Sequence, residues 1–189
     1  MSKKLLIVNG SPRKNGLDAT VAGIIAEDVK KYDYETEIVN ICDLRIGGCR
    51  ACMACKKTGA CAQQDDMTAM YDKIRSCDMI ILASPIYFGA ESGQMKCFID
   101  RFYAMVKTVD GQRFVNFGNV SKASVLLTCG AKDGPMIYGS VLSRLTNVLK
   151  SMGVQDLSGT ILANITSDDA AGSDIVKDYI ESIEFQLEM

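Results

Sequence analysis

The 189-residue sequence contains no histidine, so whatever chemistry it performs runs without an imidazole as base or ligand. It has three prolines, no internal repeat and no run of charge of one sign, which excludes linkers, disordered tails and low-complexity segments. A formal net charge of -2 leaves no basic field to attract a phosphate backbone, so nucleic acid is not an expected partner. Long hydrophobic runs are missing too. The opening "MSKKLLIVNG" has an apolar stretch that stops at Asn9-Gly10, too short for a signal-peptide core or a membrane span, and a cytosolic location is expected. With 48% hydrophobic and 23% charged residues, the length suits one core and one domain spanning residues 1–189.

What the chain does have is eight cysteines. In a reducing compartment, clustered thiols favour a metal, a cluster or redox chemistry over a disulfide framework. Cys42, Cys77, Cys97 and Cys129 stand singly in apolar surroundings and are expected to be small buried hydrophobes. Cys49, Cys52, Cys55 and Cys61 instead crowd the stretch "GGCRACMACKKTGACAQQDD".

Hydrophobic patterning predicts strands over 4–9, 34–41, 78–85, 122–130 and 157–165. Helices are predicted over 17–32, 65–77, 92–106, 135–152 and 173–188, with an irregular excursion, "KTVDGQRFVNFGNV", before the fourth strand. Strands that are continuously apolar and separated by helices imply a doubly wound α/β domain with a five-stranded parallel sheet covered on both faces. The cysteine-rich loop 47–64 is an insertion after the second strand. Ligands of such sheets sit beyond the carboxyl ends of the strands, so the loops after strands 1, 3 and 4 are the places to look.

The first loop, "GSPRKNG", offers a tight turn at Gly10, the Ser11 hydroxyl, the Arg13 guanidinium, the Asn15 amide and a helix start with free N–H groups. That is an anion site. It has neither the Walker ending nor G-x-G-x-x-G spacing, so a monophosphate fits better than a nucleoside triphosphate or a dinucleotide. The third-strand loop, "SPIYFGA", places Ile86, Tyr87 and Phe88 where a flat heteroaromatic ring could cover them, although packing into the core or against another subunit is an equal alternative. The fourth loop adds Cys129 and Gly130 to the same rim.

"GSPRKNG", the cysteine loop running into "DDM", "ILASPIYFG" and "KCFIDRFYAM", in this order, resemble the NADPH-dependent FMN reductase family, specifically its iron-sulfur flavoprotein branch. The resemblance covers residues 4 to about 106 closely and the remainder by fold. It implies a flavodoxin-like domain with FMN, the phosphate on Ser11, Arg13, Asn15 and Gly16 and the ring against Pro85, Ile86, Tyr87, Phe88 and Gly89. The family's loop commonly continues with Asn or Ser and then Thr; this chain has Leu17 and Asp18 there. A carboxylate beside a dianionic phosphate is repelled unless it turns away, so Asp18 is expected to cap or charge the helix start, with Thr20 supplying the missing hydroxyl.

The spacing C-x2-C-x2-C-x5-C lets one short loop present four thiolates to a [4Fe-4S] cluster, which can exchange single electrons with a nearby flavin. Two alternatives stay open: free thiols lining the flavin site, and zinc, which more often uses two separated C-x2-C knuckles.

The expected activity is FMN-dependent oxidoreduction. NAD(P)H or a ferredoxin-like donor reduces the flavin, and a quinone, free flavin, nitroaromatic or protein acceptor reoxidises it. An electron carrier without turnover and a thiol-based redox sensor are the other readings. No catalytic side chain is assigned, because the cofactor carries the chemistry. Arg101, beside Asp100 on a predicted helix, is expected to be structural or interfacial. Phe114, Val115 and Phe117 of the excursion predict an apolar patch covered by another chain, and the resemblance implies a homodimer or homotetramer.

Overall fold

The computed structural model describes residues 2–188. Strands β1 (Lys3–Asn9), β2 (Tyr34–Asn40), β3 (Met79–Tyr87), β7 (Lys122–Cys129) and β8 (Asp156–Ala163) lie parallel in the order β2-β1-β3-β7-β8. Counting the parallel strands alone, this is the 2-1-3-4-5 order of flavodoxin-like sheets. Register puts Ile7 beside Ile38 on one side and Ile81 on the other, while Leu82 meets Val125 and Leu127 meets Ile161. A short strand β4 (Ala90–Glu91) folds back antiparallel on the end of β3, an addition the sequence reading does not contain.

The two faces bury separate sets of side chains, as expected for a sheet covered on both sides. Leu5, Ile7, Met79 and Ile81 pack on one face under helices α1 (Leu17–Asp28) and α6 (Asp174–Glu188). Leu6, Val8, Ile80 and Leu82 pack on the other under α3 (Met67–Ser76), α4 (Gly93–Asp100) and α5 (Gly134–Ser151). The helices predicted over 17–32 and 92–106 each end early and continue as a 3-10 turn, over Val29–Tyr32 and Arg101–Met105. Of the four isolated cysteines, Cys77 is buried, whereas Cys42, Cys97 and Cys129 are only partly covered.

The excursion is not irregular. It forms a hairpin, β5 (Val106–Val109) and β6 (Gln112–Val115), around Asp110 and Gly111, whose φ values of 51° and 78° define the two-residue turn that Asp-Gly favours. Nor is its patch open: Phe117 is buried, its ring 5.3 Å edge-on from Phe102, and Val115 is half-buried, leaving Phe114 exposed. Gly118 permits this entry, because at φ 74° a Cβ there would stand 2.2 Å from the Arg75 carbonyl oxygen.

Candidate active site

The loop between β1 and α1 is tied down from below. Buried Asn9 accepts the Ser11 N–H on Oδ1 at 2.9 Å and donates Nδ2 to Asn40 Oδ1 at 2.9 Å. Ser92, fully buried as the N-cap of α4, donates its hydroxyl to the Gly10 carbonyl at 2.7 Å and accepts the Met95 N–H at 3.1 Å. A Cβ on Gly10 would come within 3.1 Å of Met95 and Ser92, tighter than nearly all such contacts, so glycine lets loop and helix approach this closely. Gly16 then caps α1 with no side-chain partner, leaving the first N–H groups of a twelve-residue helix available to an anion.

These groups open on a cleft of about 300 Å³ lined by Ser11, Arg13, Gly16, Leu17 and Asp18 on one side and by Pro85, Ile86 and Tyr87 on the other; Thr128, Cys129, Gly130 and Ile165 complete it. It lies beyond the carboxyl ends of β1, β3 and β7, at the switch in strand order. The structure therefore brings ten of the expected flavin contacts together. Four others do not line the cleft. Asn15 is exposed beside it, Thr20 sits a turn down α1, and Phe88 and Gly89 form an outward two-residue turn with φ values of 48° and 78°. Phe88 is fully exposed in that left-handed backbone, a conformation unfavourable for a residue with a Cβ.

Asp18 corrects the sequence expectation most sharply. It stands in the first turn of α1, as a residue charging the helix start would, but it makes no cap and does not face solvent: it is 2% exposed, accepts the Thr128 hydroxyl on Oδ2 at 3.0 Å, and keeps Oδ1 without a partner. Burial pushes its pKa from 3.8 to about 6, against the opposing hydrogen bonds from Thr128, its own backbone N–H and Ser11. A carboxyl group half-protonated at about pH 6 thus lies under the anion loop.

A family model described as NADPH-dependent FMN reductase matches residues 3–168. The chain belongs to that family. An iron-sulfur flavoprotein from Archaeoglobus fulgidus is 30% identical over 187 residues, covering 94% of this chain and 87% of its own length. Among solved structures, the NAD(P)H:quinone oxidoreductase of Methanothermobacter marburgensis superposes with a TM-score of 0.72 at 14% identity, covering 95% of this chain and 94% of that one. An FMN-dependent NADH-azoreductase from Bacillus anthracis, in complex with FMN, gives 0.69 at 13% identity, with 98% of both chains covered. Membership makes the protein an NAD(P)H-dependent flavoprotein oxidoreductase of flavodoxin-like fold. No helix among the described residues is long and apolar enough to cross a membrane.

The cysteine loop takes a different arrangement from the one its spacing suggests. A short helix α2 (Ala54–Thr58) interrupts it, and Ala51 and Met53 are left-handed at φ 52° and 60°. Cys55 is buried and Cys61 half-buried. Cys49 borders a cavity of about 480 Å³ with Ile99, Phe102 and Met152, while Cys52 borders another with Leu44 and Gln63. Among the described residues no three cysteines or carboxylates stand together as a metal-holding set, so the loop as folded does not fit a [4Fe-4S] cluster or zinc. None of the four thiols lines the cleft of about 300 Å³ either.

The missed residues are Asn9, which holds the anion loop, and Thr128 and Ile165 in the cleft wall. The "TCG" string carries a weak signal for Thr128, since it immediately precedes a rim already recognised; Ile165 has no local signal.

Proposed function

We propose that the cleft binds FMN, with the phosphate at the Ser11–Asp18 loop and the ring against Pro85, Ile86 and Tyr87, and that the protein passes electrons from NAD(P)H to a small acceptor such as a quinone. The observation that carries this reading is the uncapped start of α1, held by Asn9 and Ser92 at the mouth of a cleft whose opposite wall is apolar. Donor chemistry fits the group: unpaired helix N–H groups, the Ser11 hydroxyl and the Arg13 guanidinium suit a phosphate. Bound there, FMN supplies the hydride and electron chemistry. The protein's own residues hold and orient. Arg13 and Ser11 fix the phosphate, Pro85 and Ile86 keep water from one side, and no side chain is needed as a general base. Titrating the protein with FMN while following flavin fluorescence, then adding NADPH and a quinone, tests the reading.

A second reading concerns the cysteines. Their spacing and the name of the Archaeoglobus fulgidus relative favour an iron-sulfur cluster on Cys49, Cys52, Cys55 and Cys61. Their placement here does not, so no electron step is drawn through them. We extend the proposal to a cytosolic homo-oligomer, supported by the exposed Phe88 beside Tyr87, Met136 and Ile137 on α5, and Phe114 on the hairpin.

A further inference from the structure

We propose that Asp18 takes up a proton when FMN binds and uses it to donate a hydrogen bond to the phosphate, so that the site holds the phosphorylated flavin tightly only while this carboxyl is neutral. The inference rests on the FMN reading above and concerns the same cleft. Three observations carry it. Asp18 is the second residue of α1, next to the helix start where an anion would sit, and it lines the cleft with Ser11, Arg13 and Gly16. It is almost wholly buried and Oδ1 has no hydrogen-bond partner, so the nearby donors offset only part of the cost of burying a negative charge there. Its other oxygen is already fixed by Thr128 from β7, which holds the group at the cleft rather than letting it swing to solvent.

The surrounding charges do not neutralise it. On its own loop, Arg13 is exposed at the cleft, and Lys14 turns to Asp43 at 3.6 Å. After β2, the Cys42 thiol is pushed up by burial, then by Asp43 and by Asp18 itself. From β7 come the Thr128 hydroxyl and the Cys129 thiol, and from the β3 wall the Tyr87 phenol. Before the turn Ala170–Gly172 that packs on α1, Asp169 accepts the Thr166 hydroxyl at 2.6 Å. Among the described residues no cation is paired with Asp18, while a bound phosphate would add at least one more negative charge beside it. Ionised, Asp18 repels the ligand; protonated on Oδ1, its O–H becomes one more donor beside those of Ser11 and Arg13. The proton comes from solvent, one per FMN bound, and returns on release. The raised pKa of about 6 makes that uptake accessible near neutrality.

The test is the pH dependence of FMN and riboflavin dissociation constants for wild type and Asp18→Asn, read by flavin fluorescence. Asparagine keeps the acceptor for Thr128 and offers a permanent amide donor. Because the competent fraction falls from about one half at pH 6 to about 1% at pH 8, wild-type FMN binding should weaken about fiftyfold relative to Asp18→Asn over that range. The second ionisation of the phosphate itself cancels in this ratio. Riboflavin, without a phosphate, should show a flat ratio. Calorimetry in buffers of different ionisation enthalpy should find about one more proton taken up per FMN at pH 7.5 by wild type than by the variant. Should Asp18→Asn fail to fold, Thr128→Val serves instead: loss of the donor to the carboxylate should move the pH at which FMN binding weakens upward. Tight FMN binding with parallel pH profiles, no difference in proton count or an unmoved profile in Thr128→Val overturns the proton uptake alone. Failure of wild type to bind either flavin at any pH overturns the FMN reading beneath it.

Discussion

Arg101 closes the cysteine loop by gripping both of its ends: its guanidinium donates to Asp65 at 2.6 and 3.0 Å and to the Gly47 carbonyl at 2.8 Å. The side chain is 1% exposed, and Asp65 also accepts the Gly47 and Met67 N–H groups, so the loop entry and the start of α3 share one carboxylate. This is the structural role expected for Arg101. Burial works to raise the Asp65 carboxyl, but the Arg101 bonds overcome it and hold the carboxyl below its ordinary range. Asp65→Ala leaves a buried guanidinium unpaired and should cost about 3 to 5 kcal/mol of stability. Chemical denaturation measures the loss, and faster tryptic cutting at Lys56 or Lys57 shows that the loop has opened. The wild-type contribution should be present above about pH 4 and disappear as acid protonates Asp65 below that.

Asp18→Asn should stabilise the flavin-free protein at pH 8. A carboxyl whose pKa rises from 3.8 unfolded to about 6 folded binds protons more tightly in the folded state. Its stabilising effect is complete below about pH 4 and is lost as pH rises through about 6, where charge must remain buried. The shift corresponds to about 2 to 3 kcal/mol. Thermal or urea unfolding of the two proteins at pH 4.5 and 8 should show a gap that widens at the higher pH.

Arg13→Glu should weaken FMN binding about ten- to hundredfold, since a charge-assisted contact contributes about 1.5 to 3 kcal/mol. The side chain is exposed, so the unfolding midpoint should barely move. An unchanged dissociation constant would remove Arg13 from the site.

Cys55→Ser distinguishes the fates of the cysteine loop. If the four thiols gather around iron, anaerobically reconstituted wild type should contain iron and acid-labile sulfide, and the variant should lose both while keeping FMN, because the cleft draws on other segments. If the arrangement seen here persists, neither protein retains iron after reconstitution.

Much of this fold was legible because continuous burial leaves a plain record. "LLIV", "MIIL" and "ASVLL" are short apolar runs bounded by turn residues, which reads as interior strands, and the longer patterned stretches between them mark the helices. The hairpin was legible in principle through Asp110-Gly111, but the flanking strands are too short and polar to stand out. The inward turn of Asp18 also left a trace. Positions 18, 21, 22 and 25 share one face of α1, and the other three are Val21, Ala22 and Ile25, so helical phase alone places this carboxyl toward the core. The polar residues of the preceding loop point to capping instead. Asn9 and Asn40 become neighbours only through the β1–β2 register, and Ile165 reaches the cleft only because β8 lies beside β7. Those are tertiary facts with no local signature. The cysteines show the converse: a spacing that permits a site does not by itself assemble one.

With FMN in the cleft beyond β1 and β3, the chain should work as an oxidoreductase using NAD(P)H. The most direct measurement is an anaerobic stopped-flow experiment on FMN-reconstituted protein mixed with NADPH or NADH, following the absorbance of oxidised flavin. Bleaching at a rate that saturates with the nucleotide, and recovery of colour on adding a quinone, is the expected result; a protein that takes up no FMN, or whose bound FMN stays oxidised with both nucleotides, would contradict it.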